Sequence, residues 1–183
     1  MGVLQPAPSS LPVEVVALVV SAAHRCQGRP RDGIAARPAG APPERRATVR
    51  VEAGRGIVGD RYAGRPAHRD AAVTLIGVED LEAVADELGV PRFDPALARR
   101  NVVLRGVDVG SLRGREVSID CGDGVVRLLA RRAANPCAWM DVLLAPGAHR
   151  ALRGRGGLRC EPLGTGVLRV GPARLVIGPP AAG

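Results

Sequence analysis

The sequence predicts a mostly β (α+β) domain, a barrel-like sheet with a few short helices, on three observations. β-Branched runs of roughly four to eight residues recur at regular spacing with glycine turns between them. Only one segment has a strong helical period. Aromatic residues are 2% of the 183-residue chain and apolar residues 46%, so the core is built of Val, Leu, Ile and Ala, which lean towards sheet. That length fits one domain, expected over 11–180 after a Pro/Ser-rich, disordered 1–10.

The apolar run LPVEVVALVVSAA over Leu11–Ala23 has no basic residue before it, carries Glu14 and is too short to span a membrane. It reads as a buried first strand, and the expectation is a cytoplasmic protein without membrane contact. From 24 to 46 the chain is dense in Pro, Gly and Arg with no period, and reads as a long loop inserted into the domain. TVRVEA after Ala47 alternates as a strand does, and in GRGIVGDRYAGR the glycines permit sharp turns while Asp60 and Arg61 offer polar partners. AAVTLIG, Ala71–Gly77, is a further strand. In VEDLEAVADELGV, Val78–Val90, apolar Val78, Leu81, Val84, Ala85 and Leu88 recur at helical spacing and Gly89 stops the helix. NVVLRGV, REVSIDCG and GVVRLLA read as strands, the last two joined by a hairpin at Asp123-Gly124. AWMDVLLAPGAHRAL suits one or two helical turns, and the segment from Gly154 to Gly178 reads as two short strands joined by Gly164-Thr165-Gly166.

Composition excludes some chemistry. All 26 basic residues are arginine. The chain therefore cannot form a lysine Schiff base with pyridoxal phosphate, and it lacks the lysine of a phosphate-binding P-loop. A net charge of +8 favours an anionic partner, but the arginines are scattered and have few aromatic neighbours to stack bases. A phosphate-bearing small ligand explains the charge as well as nucleic acid does, and the expectation is no nucleic-acid partner. The cysteines, Cys26, Cys121, Cys137 and Cys160, form no metal-type spacing and are expected as free thiols; Cys121 and Cys160 lie in strand runs and read as core filler. His24, His68 and His149 show no ligand spacing and read as surface or loop residues. Cys137 differs, because Asn135-Pro136 before it implies a bend outside regular structure, where functional residues concentrate.

The order GIVGDRYAG, VTLIGVEDLE, ARRNVVLRGVDV, NPCAWMD and GRGGLRCEPLGTGVLRVGPARLVI resembles the MOSC family, the domain at the C-terminus of molybdenum cofactor sulfurases and in small stand-alone proteins, over roughly the last three quarters of the chain. The resemblance implies a β-barrel with a few helices. It also implies a cysteine, here Cys137, that carries persulfide sulfur or ligates molybdenum in the pterin cofactor (molybdopterin). A thiolate suits both roles, as nucleophile and as soft ligand, and Arg131 and Arg132 would favour it if they face it. Asn101 and Arg99 or Arg100 are expected beside the cofactor. Many family members have Glu where Arg100 stands, others an arginine at the position of Arg99. Asp60, Arg61, Arg155 and Gly156 would supply donors and guanidinium groups around the pterin and its phosphate.

Three readings stay open. As a sulfur carrier, the chain needs a separate cysteine desulfurase as sulfur donor. As a molybdenum-dependent reductase of N-hydroxylated compounds, it needs an external redox partner, since it carries neither a cysteine cluster nor a dinucleotide fingerprint. The third reading is a non-catalytic or repurposed module, motivated by the 24–46 insertion and the missing Glu.

Overall fold

Two covered faces explain why strand β1 (Ser9–Val19) is apolar almost without a break. Val13 and Val15 point into one core; a register shift between Val15 and Ala17 then rotates the strand, so that Leu18 and Val20 continue into the same core while Ala17 packs on the opposite side. The computed structural model describes residues 9–181. After β1 come β2 (Arg45–Arg46), β3 (Thr48–Glu52), β4 (Gly56–Ile57), β5 (Val73–Gly77), α1 (Val78–Leu88), β6 (Val102–Arg105), β7 (Arg115–Asp120) and β8 (Val125–Ala133). Two one-turn helices, α2 (Met140–Leu143) and α3 (Ala148–Ala151), precede β9 (Leu158–Pro162), β10 (Gly166–Arg169) and β11 (Gly171–Pro180).

Seven strands close a barrel in the order β11, β7, β8, β9, β5, β6, β1, with β1 returning to β11 through pairs from Ser9↔Ile177 to Val15↔Gly171. Neighbours are antiparallel except β5 and β6, which run parallel with α1 as their crossover. Strand alternation sorts the side chains: Val73, Leu75, Val102 and Leu104 fill the barrel, while Ile76 and Val103 face outward under Leu81 and Val84 of α1, with Trp139, Met140 and Leu152 in the same outer layer. β10, β3 and β4 form a separate small sheet.

The sequence reading needs correcting at several boundaries. Ser9 and Ser10 belong to β1, because closing the barrel uses their backbone opposite Ile177 and Val176, and Ser10 also accepts a hydrogen bond from Arg174 at 2.9 Å. The remainder of the expected disordered start, 1–8, lies outside the described residues. β1 ends at Val19, short of Ala23, and the 24–46 segment is not all loop: Pro30–Asp32 forms a 3₁₀ turn and Arg45–Arg46 pairs with β1. The two expected C-terminal strands are three, since Gly164-Thr165-Gly166 carries the chain from the barrel into the small sheet before β11 returns to close it. α1 ends as expected, with Gly89 left-handed at φ 64° and its N–H donated to the helix's last turn. Among the described residues no helix is long and apolar enough to cross a membrane.

Candidate functional site

At one end of the barrel, where β1 ends and β5 and β6 begin, the loops after β1, β4 and β8 enclose a cavity of about 230 Å³. Asn101 is the knot beneath it. Its Oδ1 accepts from the Thr74 backbone N–H and from Thr74 Oγ1, both at 2.9 Å, and its Nδ2 donates to the Val19 carbonyl at 3.0 Å and to Asp60 Oδ2 at 3.1 Å. Asp60 is buried and also accepts from the Ser21 and Tyr62 backbone N–H groups, at 3.2 and 3.1 Å. These two residues spend their polar atoms joining β1, β5 and the loop after β4, so they shape the wall. The same contacts aim Arg61 into the cavity.

The adjacent arginines divide the work. Arg99 holds the left-handed conformation at φ 55°, the one non-glycine residue with positive φ among those described, a cost of about 1–2 kcal/mol that the surroundings must offset. Its guanidinium donates to both oxygens of Glu44 and to Ser21 Oγ. Glu44 lies in the 24–46 segment, where Arg25 also pairs with it at 2.8 Å. Burial on its own would raise the Glu44 carboxyl, but the hydrogen bonds from Arg99 and Ser21 and the charges of Arg99 and Arg25 hold it below the ordinary range. Thus the long segment is latched to the mouth of the cavity. Arg100 turns the other way, donating to the carbonyls of Gly156 and Ala134 at 2.8 and 3.0 Å; burial, with the positive charge of Arg159 adding to it and Cys137 opposing it, pushes its pKa down to about 10.

Arg61, Arg100 and Arg159 line the cavity with no carboxylate partner among the described residues, and Arg61 Nε is buried without any hydrogen-bond partner. Asp60 is the one carboxylate among the described lining residues, and its oxygens are taken. This donor set fits a phosphate-bearing anion, which would satisfy the orphaned N–H and the excess positive charge together. Exposed Cys137 lines the same cavity, beside buried Trp139 and Met140.

Of the residues expected from sequence, the structure brings together Asp60, Arg61, Arg99, Arg100, Asn101 and Cys137. It places the others elsewhere. Arg132 is exposed and faces Asp70 at 3.5 Å, and Arg131 pairs with Glu161, so neither lines the cavity. Arg155 pairs with Glu87 and the Ala151 carbonyl, away from it. Gly156 touches the site only by its carbonyl on Arg100; a Cβ there would collide with the Ala134 carbonyl, and one on Gly157 with the Leu75 carbonyl, so packing accounts for these glycines. Arg159, Cys26, Arg25 and Ser21 line the cavity unforeseen. The alternation of β9, with Leu158 and Cys160 inward, would have turned Arg159 outward towards this end. His24, expected as a loop residue, is exposed and stands at the rim. Cys160 is fully buried core, as expected, and its thiol is pushed up to about 12 by burial.

Residues 37–173 match the MOSC domain family. The fold is similar to that of the YuaD protein from Bacillus subtilis, with a TM-score of 0.71 at 18% identity over 94% of this chain and 100% of that one. It is also similar to YiiM from Geobacillus stearothermophilus, with a TM-score of 0.60 at 15% identity over 91% of this chain and 75% of that one. YiiM from Escherichia coli gives a TM-score of 0.57 at 15% identity over 92% and 70%. No curated protein matches the sequence.

Proposed function

The chain belongs to the MOSC domain family, and from that premise we propose that it binds the molybdenum cofactor in the arginine-lined cavity, with Cys137 carrying persulfide sulfur to the molybdenum or ligating it. One observation carries the reading: Arg61 Nε is buried with no partner in a cavity where Arg61, Arg100 and Arg159 pair with no carboxylate among the described residues and Cys137 is exposed at the edge. Arg61 and Arg159 would hold the phosphate of molybdopterin, and Arg100, fixed by two carbonyls, would add positive charge to the site. When bound, the cofactor supplies a molybdenum centre that takes up sulfur or thiolate. A cavity of about 230 Å³ is smaller than a typical pocket for a ligand of this size, so it would take only part of the cofactor.

In the carrier reading the Cys137 thiolate attacks the terminal sulfur of a donor persulfide. The donor's S–S bond breaks, the donor thiolate leaves, and Cys137 is left as a persulfide. A cysteine desulfurase of the cytoplasm is the donor, because this chain has no lysine to hold pyridoxal phosphate. The reductase reading rests on the resemblance to the family's arginine variant, in which Arg99 occupies the arginine position and here lines the cavity, and it needs an external redox partner.

Replacing Arg61 and Arg159 by Ala tests the cavity. Each substitution removes a charge-assisted contact and lowers retention of molybdopterin by roughly tenfold to a hundredfold, read from the fluorescence of the oxidised pterin. Unchanged retention in a folded double variant refutes the assignment.

A further inference from the structure

Cys137 is not the only thiol at the cavity. Cys26 lines it too, from the long segment between β1 and β2, upstream of the residues that match the family. Its side chain packs on the cluster containing Trp139 and Met140, the two buried residues that follow Cys137, and the Pro30–Asp32 turn of the same segment rests on α2. Cys26 and Cys137 therefore face one cavity from two separate segments. Cys26 lies in neither helix nor strand. The other two cysteines are placed differently, Cys160 inside the barrel and Cys121 against the Arg169 carbonyl at 3.6 Å.

We propose that Cys26 is the resolving thiol of Cys137, the two forming a dithiol–disulfide couple across the mouth of the cavity. The step rests on the sulfur-carrying reading of Cys137. With Cys137 as a persulfide, the Cys26 thiolate attacks Cys137 Sγ; a Cys26–Cys137 disulfide forms, the bond to the outer sulfur breaks, and that sulfur leaves as hydrosulfide, which takes up the proton lost from Cys26. The two cysteines are oxidised and the sulfane sulfur is reduced, so no other oxidant is needed. Sulfide is thereby released at the arginine-lined end of the cavity, and an external thiol resets the pair. Disulfide geometry requires the two Cα atoms within about 7 Å, and the linked peptide reads whether the pair reaches it.

The experiment treats the full chain with glutathione persulfide and follows sulfide release and intact mass. In the native protein each chain releases one sulfide and yields a peptide linked through Cys26 and Cys137. Cys26→Ser keeps the extra sulfur on Cys137, and its sulfide release falls by about tenfold or more. Equal release from Cys26→Ser and native protein overturns the proposal. If Cys137 takes up no sulfur in either protein, the sulfur-carrying reading has failed, and hydrogen peroxide then tests the pair alone. Cys137 sulfenic acid condenses with Cys26 to the same linked peptide with loss of water. Absence of that peptide overturns the couple.

Discussion

Replacing Asn101 by Ala removes more than one hydrogen bond, and its cost can be worked from the four contacts of the side chain. The Thr74 N–H and hydroxyl lose their acceptor, and the Val19 carbonyl and Asp60 Oδ2 lose a donor, in a part of the wall where Asn101 and Asp60 are buried. At a net worth of about 0.5–1.5 kcal/mol each, with an added penalty for buried groups left unsatisfied, the loss comes to roughly 3–5 kcal/mol. For a chain of this length that corresponds to a fall in Tm on the order of 10 °C. Asn101→Asp is the sharper variant. It keeps the acceptor for Thr74 but sets a second carboxylate against Asp60 Oδ2, so at neutral pH it is destabilised by at least as much, and it recovers as one carboxylate takes up a proton at acid pH. Thermal unfolding of the three proteins at neutral and acid pH checks this. A fall of less than about 1 kcal/mol in Asn101→Ala would refute the view that Asn101 is the structural knot of the cavity.

Other consequences are as direct. Glu44 has its pKa held below the ordinary value, so the latch on the 24–46 segment is present above that ordinary value and is lost as pH falls through the lower, folded value. Limited proteolysis between His24 and Arg46 therefore accelerates only in acid, and Glu44→Gln brings the same cleavage to neutral pH. Gly157 has φ +89° and faces the Leu75 carbonyl, so Gly157→Ala costs about 2 kcal/mol or more and lowers Tm; an unchanged Tm would contradict the close approach of backbone there. Under iodoacetamide at pH 8 the exposed Cys137 is alkylated first, while Cys160, fully buried with its pKa near 12, reacts only after unfolding; mass mapping of the modified peptides decides it.

Much of the sheet structure was legible because the strands obey simple rules. The alternation of 48–52, the β-branched run at 73–77 and the glycine turn between β7 and β8 needed no tertiary information. β10 escaped because only Val170 separates it from β11, and the corner is made by Gly171 at φ 123°, which a linear pattern does not reveal. Ser9 and Ser10 read as disordered because barrel closure uses their backbone, whereas sequence patterns report side chains.

Asp60, Arg99, Arg100, Asn101 and Cys137 were named from the family resemblance, and the fold brings them to one cavity. Arg159 and Cys26 were not, since only closure of the sheet and folding of the long segment over its end bring them to Arg100 and Cys137. Arg155 and Gly156 were misplaced because a glycine-rich turn that binds an anion and one that lets two backbones approach have the same sequence.

The most direct measurement is intact mass and molybdenum content of native protein and Cys137→Ser, after exposure to a cysteine desulfurase with cysteine and, separately, to the molybdenum cofactor. Native protein is expected to take up one sulfur, retained on Cys137 or discharged as sulfide with formation of the Cys26–Cys137 disulfide, or molybdenum approaching one per chain, and the folded mutant neither. A native protein that shows neither added sulfur, nor the disulfide with released sulfide, nor molybdenum, or a folded mutant that takes up sulfur or molybdenum, contradicts the assignment of Cys137 to sulfur or molybdenum.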